Sequence, residues 1–164
     1  ATCAVMPLVI SLQPLIFGIS QLVTALQIGV FFAIGLYKVR KPGSLLIMAL
    51  MMGLIQLMMS PPMFLSSVLN GVLIELIVLL LFRGYEKDSA VFCAAMLHTP
   101  LSLPFNYLYN RLIKGADSPL AAVADRAPLA AVGMTLAVVA VSALGALIGI
   151  KIARELKKSG VLKK

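Results

Sequence analysis

Charged residues are scarce in this chain of 164 residues. They make up 12% of the sequence, whereas an average soluble domain has about a quarter. Hydrophobic residues make up 61%, which is more apolar surface than a domain of this size could hide in a core of its own. The chain therefore needs a hydrophobic solvent, and the lipid bilayer supplies one. This composition excludes a soluble enzyme, a nucleic-acid-binding domain and a disordered tail.

The residue types that build reactive centres are also rare, with two cysteines, one histidine and no tryptophan. Cys3 and Cys93 both lie in apolar surroundings, and two such cysteines form neither a disulfide framework nor a zinc site. The sequence has no nucleotide-binding loop, no nucleophile with a paired base and no zinc-protease motif. We therefore predict a protein that is not an enzyme and that holds no metal ion or other cofactor.

Charged breaks divide the chain into apolar segments of about 20 residues, the length that crosses a bilayer. Residues 1–37 carry no charge and are too long for one span, so Pro14 and Gly18 indicate a break between two helices. The other four helices are predicted over residues 44–60, 64–82, 89–109 and 128–150. We therefore predict an all-α, polytopic membrane protein, a six-transmembrane-helix bundle that forms a single domain over residues 1–164.

The basic residues give the bundle an orientation. Most of the 14 lysines and arginines follow the second, fourth and sixth predicted helices, and few lie on the opposite side. Loops rich in lysine and arginine stay in the cytoplasm. We therefore expect both termini to be cytoplasmic.

Polar side chains inside the predicted spans are concentrated toward the outer half. Several recur every three or four residues and so share helix faces: Thr24, Gln27, Gln56, Asn70, His98, Ser102, Asn106 and Tyr107. Polar groups that face lipid are costly unless they find partners, so we expect these faces to line a cavity that opens outward. Two roles remain as alternatives for His98: a structural hydrogen bond, or a contact with the ligand in this pocket. The inner half of the bundle is apolar, which argues against a channel.

Glu75 is the only charged residue predicted well inside a span, where an ionisable side chain costs at least about 2.5 kcal/mol. Two interpretations are open. Glu75 is either a protonated or hydrogen-bonded glutamate that joins helices, or a carboxylate that binds a cationic or amine-bearing ligand. If it binds the ligand, Glu75→Gln should weaken binding by about tenfold or more without loss of the fold.

Small residues line one face of the last predicted helix. Gly145 and Gly149 are four residues apart, which lets another helix approach closely. The partner is either a helix of the same chain or one of another protein, and both alternatives are open.

Four short motifs resemble a known family. They are Arg-Lys-Pro-Gly at 40–43, Gly71-x-x-x-Glu75, Phe-Arg-Gly-Tyr at 82–85 and Leu-Lys-Lys-Ser-Gly-Val-Leu at 156–162. In this order they resemble the YkoE family of substrate-binding (S) components of energy-coupling factor (ECF) transporters. Two features depart from that pattern: Ala49 stands near the place of an acidic residue, and no tryptophan is present to stack on a pyrimidine.

The resemblance implies a six-helix membrane subunit that captures a vitamin or vitamin precursor, such as thiamine or hydroxymethylpyrimidine, from outside a prokaryotic cell. Its implied partners are a transmembrane coupling protein, two cytoplasmic ATPase subunits and membrane lipids, with no nucleic acid. The family's acidic pocket residue corresponds to Glu75. Two alternatives are a stand-alone, homo-oligomeric transporter of small solutes and a structural subunit of a larger membrane complex.

Overall fold

The computed structural model describes residues 19–58, 61–113 and 127–160, and all regular structure in them is helical. The helices are α1 (Ile19–Val39), α2 (Ser44–Leu57), α3 (Pro61–Phe82), α4 (Asp88–Ile113) and α5 (Pro128–Lys158). The all-α prediction is confirmed for this part of the chain. The first of the six predicted helices falls largely in residues 1–18, outside the described residues.

The helix boundaries follow from local chemistry. Helix α1 ends where Arg40 adopts a positive φ of 46° and Gly43 one of 85°, a backbone conformation that stops a helix. Helix α3 begins at Pro61, because proline in the first helical turn gives up no hydrogen bond. Helix α5 continues to Lys158, eight residues beyond the predicted end, since lysines in the last turn interact favourably with the helix dipole.

Three of the described helices, α1, α3 and α5, are long and apolar enough to cross a membrane. Helix α2 is apolar but has only 14 residues. Large hydrophobic side chains point outward along the bundle, with Met58, Leu80 and Leu129 each more than four-fifths exposed. An apolar outer surface of this kind is stable in lipid and costly in water.

The helices form two packed units. Helices α1, α4 and α5 contact one another pairwise, and α1 with α5 is the most extensive pair. Helix α2 packs mainly against α3, and this hairpin joins the rest through contacts between α3 and α4.

Glycines bring α1 and α5 close together. A Cβ atom added to Gly145 would lie 2.6 Å from the carbonyl oxygen of Leu26, and one added to Gly149 would lie 2.7 Å from that of Val30. A Cβ atom added to Gly29 on α1 would lie 3.0 Å from the carbonyl oxygen of Ser142. These contacts are to backbone atoms, which cannot rotate away. The small-residue face of the last helix is therefore used for packing within the chain.

The end of the bundle where α1 and α3 end and α4 begins carries most of the described basic residues, and we call it the basic end. Thirteen residues form an apolar core toward this end: Phe32, Ala33, Leu36, Leu45, Ile74, Val78, Tyr85, Ala90, Val91, Ala94, Ala95, Ala146 and Ile150. A second, smaller core lies toward the opposite end and consists of Ala25, Leu103 and Val138.

One carboxylate joins three helices at the basic end. Asp88, the first residue of α4, accepts hydrogen bonds from Arg40, which follows α1, and from Arg154 on α5, each at 2.6 Å. Partial burial acts to raise the pKa of Asp88, but the hydrogen bonds from Arg154 and Arg40 outweigh it and hold that pKa below its ordinary value. Arg40 also lies 4.0 Å from the centre of the Tyr37 ring, a cation–π contact.

This carboxylate makes the stability dependent on pH. Because the pKa of Asp88 is lowered on folding, its contribution is complete above the ordinary value of 3.8 and is lost as the pH falls below it. We expect Asp88→Asn to lower the melting temperature at pH 7 by about 3 °C, since partly exposed ion pairs contribute little each. The difference from the wild type should shrink below about pH 4. Equal melting temperatures at pH 7 would contradict this role.

Glu155→Gln is the matched control. Glu155 pairs with Lys158 at 3.0 Å, but both side chains are largely exposed and lie on one helix. Such a pair joins no helices, so its loss should leave the melting temperature unchanged within error.

Candidate functional site

Three polar side chains are buried without a hydrogen-bond partner among the residues that the structure describes. Asn70 on α3 is 1% exposed, and His98 and Thr99 on α4 are 5% and 3% exposed. Both amide atoms of Asn70, Nε2 of His98 and the hydroxyl of Thr99 are unpaired. The great majority of buried polar groups in proteins are paired, so three unpaired side chains are unusual. We call these three residues the polar layer.

The polar layer lies at one depth in two helices that contact each other. At 1.5 Å per residue, Asn70 is about 18 Å along α3 from Phe82 at the basic end. His98 is about 15 Å along α4 from Asp88, at the same end. The unpaired groups of α3 and α4 therefore lie at about the same level of the bundle.

Proline explains why α4 is polar at this level. Pro100 has no N–H, so the carbonyl of Met96 loses its donor within the helix. That carbonyl instead accepts a 2.8 Å hydrogen bond from the hydroxyl of Ser142 on α5. Pro104 likewise removes the donor that would reach the carbonyl of Pro100. The two prolines thus leave two backbone carbonyls near the polar layer without their helical donors. One of them, the carbonyl of Met96, bonds Ser142 and so connects α4 to α5.

His98 is the member of the polar layer that contacts the apolar core at the basic end. Its ring packs against Phe32 of α1, with ring centroids 4.3 Å apart and planes inclined at 38°. Phe32 belongs to that core, together with Leu36 and Val78. The polar layer is therefore closed off on the basic side by packed apolar side chains.

Glu75 lies outside the polar layer, in the interface between α2 and α3. Its Oε1 accepts a 2.6 Å hydrogen bond from the backbone N–H of Gly43, and its Oε2 accepts one of 2.9 Å from the hydroxyl of Tyr85. Gly43 is the N-cap of α2 and has no side chain to cap the helix. A carboxylate at a helix N-terminus is stabilised by the helix dipole. Glu75 therefore joins helices, as in the first of its two interpretations.

The other residues on the same face of α3 also contact α2. The hydroxyl of Ser67 donates a 3.0 Å hydrogen bond to the carbonyl of Ala49. A Cβ atom on Gly71 would lie 2.5 Å from that of Ala49. The polar face of α3 is thus mainly a seam between α2 and α3.

The motifs that carry the family resemblance meet at the seam and the basic end. Gly43, Glu75 and Tyr85 are the last residues of the first three motifs. Hydrogen bonds connect Glu75 to both Gly43 and Tyr85. Burial, and then the bond to Glu75, raises the pKa of Tyr85 well above its ordinary value, so its phenol stays protonated and donates. The geometry gives these motif residues a structural role.

Tyr85→Phe and Glu75→Gln together separate the two interpretations of Glu75. Each substitution weakens one hydrogen-bonded link in the seam, so we expect each to lower the melting temperature by about 3 °C and to leave ligand affinity unchanged. Thermal unfolding and a binding isotherm measure the two effects. A tenfold loss of affinity for Glu75→Gln alone, with an unchanged melting temperature, would support the ligand-binding interpretation instead.

The predicted site residues of α1 and α2 lie in different surroundings. Thr24 is buried and its hydroxyl donates to the carbonyl of Gln21 at 3.4 Å, one turn earlier in the same helix. Gln27 is half-buried and lies about 18 Å from the end of α1, at the level of the polar layer. Gln56 is half-buried next to the last residue of α2. Of these three, Gln27 best matches the depth of the polar layer.

The predicted site residues of the outer part of α4 make local contacts. The hydroxyl of Ser102 donates to the carbonyl of Thr99 at 2.6 Å. The carbonyl of Asn106 accepts a 2.7 Å bond from the side chain of Asn110. Tyr107 is hydrogen-bonded to Arg111, one turn further along the helix. These residues are half-buried and continue from the polar layer away from the basic end.

Thr99 is the residue of the polar layer that the sequence analysis missed. Threonine hydroxyls in helices usually bond a carbonyl one turn earlier, so a threonine in a span carries little signal by itself. The signal available in the sequence was its position between His98, a polar residue within a span, and Pro100, a proline inside the helix. No group of three or more histidine, cysteine or acidic side chains in the described residues is arranged to hold a metal ion.

The comparisons with known proteins agree with a membrane location. Residues 1–158 match a family described as a hypothetical bacterial integral membrane protein (Trep_Strep). No curated protein and no solved structure matches the chain. The family and the three helices long enough to span a membrane make this a multi-pass membrane protein. The chain therefore belongs to the Trep_Strep family of bacterial integral membrane proteins.

Proposed function

We propose that this protein is the substrate-capture subunit of an ECF-type importer. It binds a vitamin or vitamin precursor, such as thiamine or a hydroxymethylpyrimidine-like compound, from outside the cell. It has no catalytic activity of its own, and a transmembrane coupling protein and two cytoplasmic ATPase subunits drive import. The basic end faces the cytoplasm, as do both termini.

The observation that carries the proposal is the polar layer. Leaving a buried polar group unpaired costs about 1–3 kcal/mol, and Asn70, His98 and Thr99 together present four such atoms. A small ligand that bonds to them offsets this cost on binding. Buried, unpaired polar groups at one level of an otherwise apolar bundle are typical of a small-molecule site.

The apolar core at the basic end supports capture rather than free passage. A channel or stand-alone carrier needs a path for polar solutes across the whole membrane. Below His98 the described helices instead pack the apolar side chains of Phe32, Leu36 and Val78. The buried carboxylate on that side, Glu75, is occupied by its hydrogen bonds to Gly43 and Tyr85. The ligand therefore enters from the end opposite the basic end and leaves only when partner proteins rearrange the helices.

Within the proposal, Asn70, His98 and Thr99 contact the ligand, and Thr24, Gln27 and Gln56 lie along its route. Glu75 holds α2 against α3 below the ligand. Ser102, Asn106 and Tyr107 lie between the polar layer and the outer opening.

Reconstitution into lipid vesicles tests the proposal. The protein alone, incubated with labelled thiamine and with its labelled pyrimidine precursor, should bind one of them saturably at one molecule per chain. It should neither accumulate nor equilibrate the compound across the vesicle membrane. Empty vesicles processed in parallel give the background.

Each rival function predicts a different result. Equilibration across the membrane by the protein alone would establish a stand-alone transporter. Absence of binding to any vitamin-sized compound, together with stable association with other membrane proteins, would establish a structural subunit.

A further inference from the structure

We propose that the ligand of the polar layer is an uncharged molecule that presents a hydrogen-bond donor beside an acceptor, which pair with the amide of Asn70. This inference rests on the proposed capture function and names the chemical class of the substrate. Carboxamides, lactams and the ring edge of an aminopyrimidine have this arrangement.

Asn70 defines the shape of the recognition. The residue is 1% exposed, and both the nitrogen and the oxygen of its amide are unpaired in the described part of the chain. An asparagine amide offers donors and an acceptor side by side in one plane. A planar ligand edge with the complementary pair satisfies both at once, whereas a lone ammonium or carboxylate satisfies only one of them.

The charges near the polar layer argue for an uncharged ligand. Of the acidic side chains that the structure describes, Glu75 bonds Gly43 and Tyr85, and Asp88 pairs with two arginines. Glu86 and Glu155 are exposed. None of these carboxyl groups is thus left to neutralise a cationic ligand, and the described lysines and arginines other than Arg40 are exposed. A buried charge without a counter-charge is strongly unfavourable.

Thr99 and His98 complete the recognition. The hydroxyl of Thr99 donates or accepts as required, and Nε2 of His98 does either according to its tautomer. Phe32 packs against the imidazole and restricts its orientation. These groups suit a polar ligand that carries no net charge.

A different explanation is a direct bond between α3 and α4. A change of side-chain rotamer could pair Asn70 with His98 or Thr99, which lie at its depth, and would make the polar layer a structural contact. The two explanations differ in what Asn70→Leu does. A structural contact loses stability and leaves ligand affinity unchanged, whereas a binding site loses affinity.

Two probes that share one ring and differ in charge test the inference. Thiamine carries an aminopyrimidine and a permanently positive thiazolium, and 4-amino-5-hydroxymethyl-2-methylpyrimidine carries the same ring without that cation. Calorimetry on the purified full chain in detergent measures both affinities, and mass spectrometry identifies any small molecule that co-purifies. We expect the uncharged pyrimidine, or an uncharged co-purified compound with such an edge, to bind at least about tenfold more tightly than thiamine.

Variants make the test specific for Asn70. Asn70→Leu should lower affinity for the uncharged ligand by about tenfold or more. Asn110→Leu is the control, because the amide of Asn110 already bonds the carbonyl of Asn106 on its own helix. It should bind like the wild type.

The outcomes separate the inference from the proposed function. Equal or tighter binding of thiamine, or a co-purified ligand that is charged at pH 7, overturns the inference and leaves the capture function standing. Unchanged affinity in Asn70→Leu also overturns it. If neither probe binds and no small molecule co-purifies, the capture function fails and the inference fails with it.

Discussion

We expect Gly145→Ala to lower the melting temperature by about 5 °C or more, and Gly145→Leu to abolish the folded monomer. The added Cβ atom would lie 2.6 Å from the carbonyl oxygen of Leu26 and 3.1 Å from its Cα. Relief requires α1 and α5 to separate along their whole interface, and overpacking of this kind costs about 1–3 kcal/mol or more. The fraction of monomer that survives heating, measured by size-exclusion chromatography, gives the result.

Gly133 on the same helix provides the matched control. A Cβ atom there would meet no atom of the described residues within 4 Å beyond the backbone of its own helix, so Gly133→Ala should not destabilise the protein. Removing a glycine from a helix favours the helix by about 1 kcal/mol, and a slight increase in melting temperature is expected. Equal behaviour of Gly133→Ala and Gly145→Ala would contradict the close packing of α1 on α5.

We expect Thr99→Val to raise the melting temperature of the ligand-free protein by about 2–5 °C and to weaken ligand binding. The two side chains have nearly the same shape, so the substitution removes only the hydroxyl. That hydroxyl is buried and unpaired in the described structure, and relieving such a group is worth about 1–3 kcal/mol. A gain in stability with a loss of binding is characteristic of a functional site.

Thr135→Val controls for the loss of a threonine hydroxyl in a helix. The hydroxyl of Thr135 donates a 2.8 Å bond to the carbonyl of Ala131 on the same helix. Its removal should leave both affinity and melting temperature near those of the wild type. If Thr99→Val instead destabilises the ligand-free protein and leaves affinity unchanged, Thr99 has a structural role and does not belong to the site.

The helices were largely predictable from the sequence because their ends carry chemical signals. The charged motif that starts at Arg40 and the one that starts at Arg83 both stop helices, and Pro128 begins one, as predicted. Helix α3 begins at Pro61, three residues before the predicted start at residue 64. Helix ends beyond the apolar stretches were less predictable. Helix α5 gains eight residues past Ile150 because a basic helix can continue in water outside the membrane.

The position of Glu75 along its helix was predictable, but its neighbours were not. Periodicity places Ser67, Gly71 and Glu75 on one face of the helix, but it does not show which other helix that face contacts. The structure turns the face toward α2, where Gly43 lacks a capping side chain and Glu75 supplies the acceptor. A pattern within one helix cannot reveal a donor on another.

Only part of the candidate site was predictable, because a pattern within one helix does not show which residues of other helices lie next to it. Asn70 and His98 stood out as polar side chains within spans, and the structure brings them to one level. Thr99 did not stand out, because its surroundings depend on another helix. Pro100 leaves the carbonyl of Met96 without its helical donor, and Ser142 on α5 bonds that carbonyl instead. That bond links residues far apart in the sequence.

A ligand site at the polar layer is tested most directly by denaturing mass spectrometry of small molecules that co-purify with the detergent-extracted wild-type protein and with Thr99→Val. We expect a vitamin-sized compound at about one molecule per chain in the wild type. It should be strongly depleted in Thr99→Val and retained in Thr135→Val. Only lipid in all three samples, with no stabilisation of the wild type by a panel of vitamins, would contradict a ligand site at the polar layer.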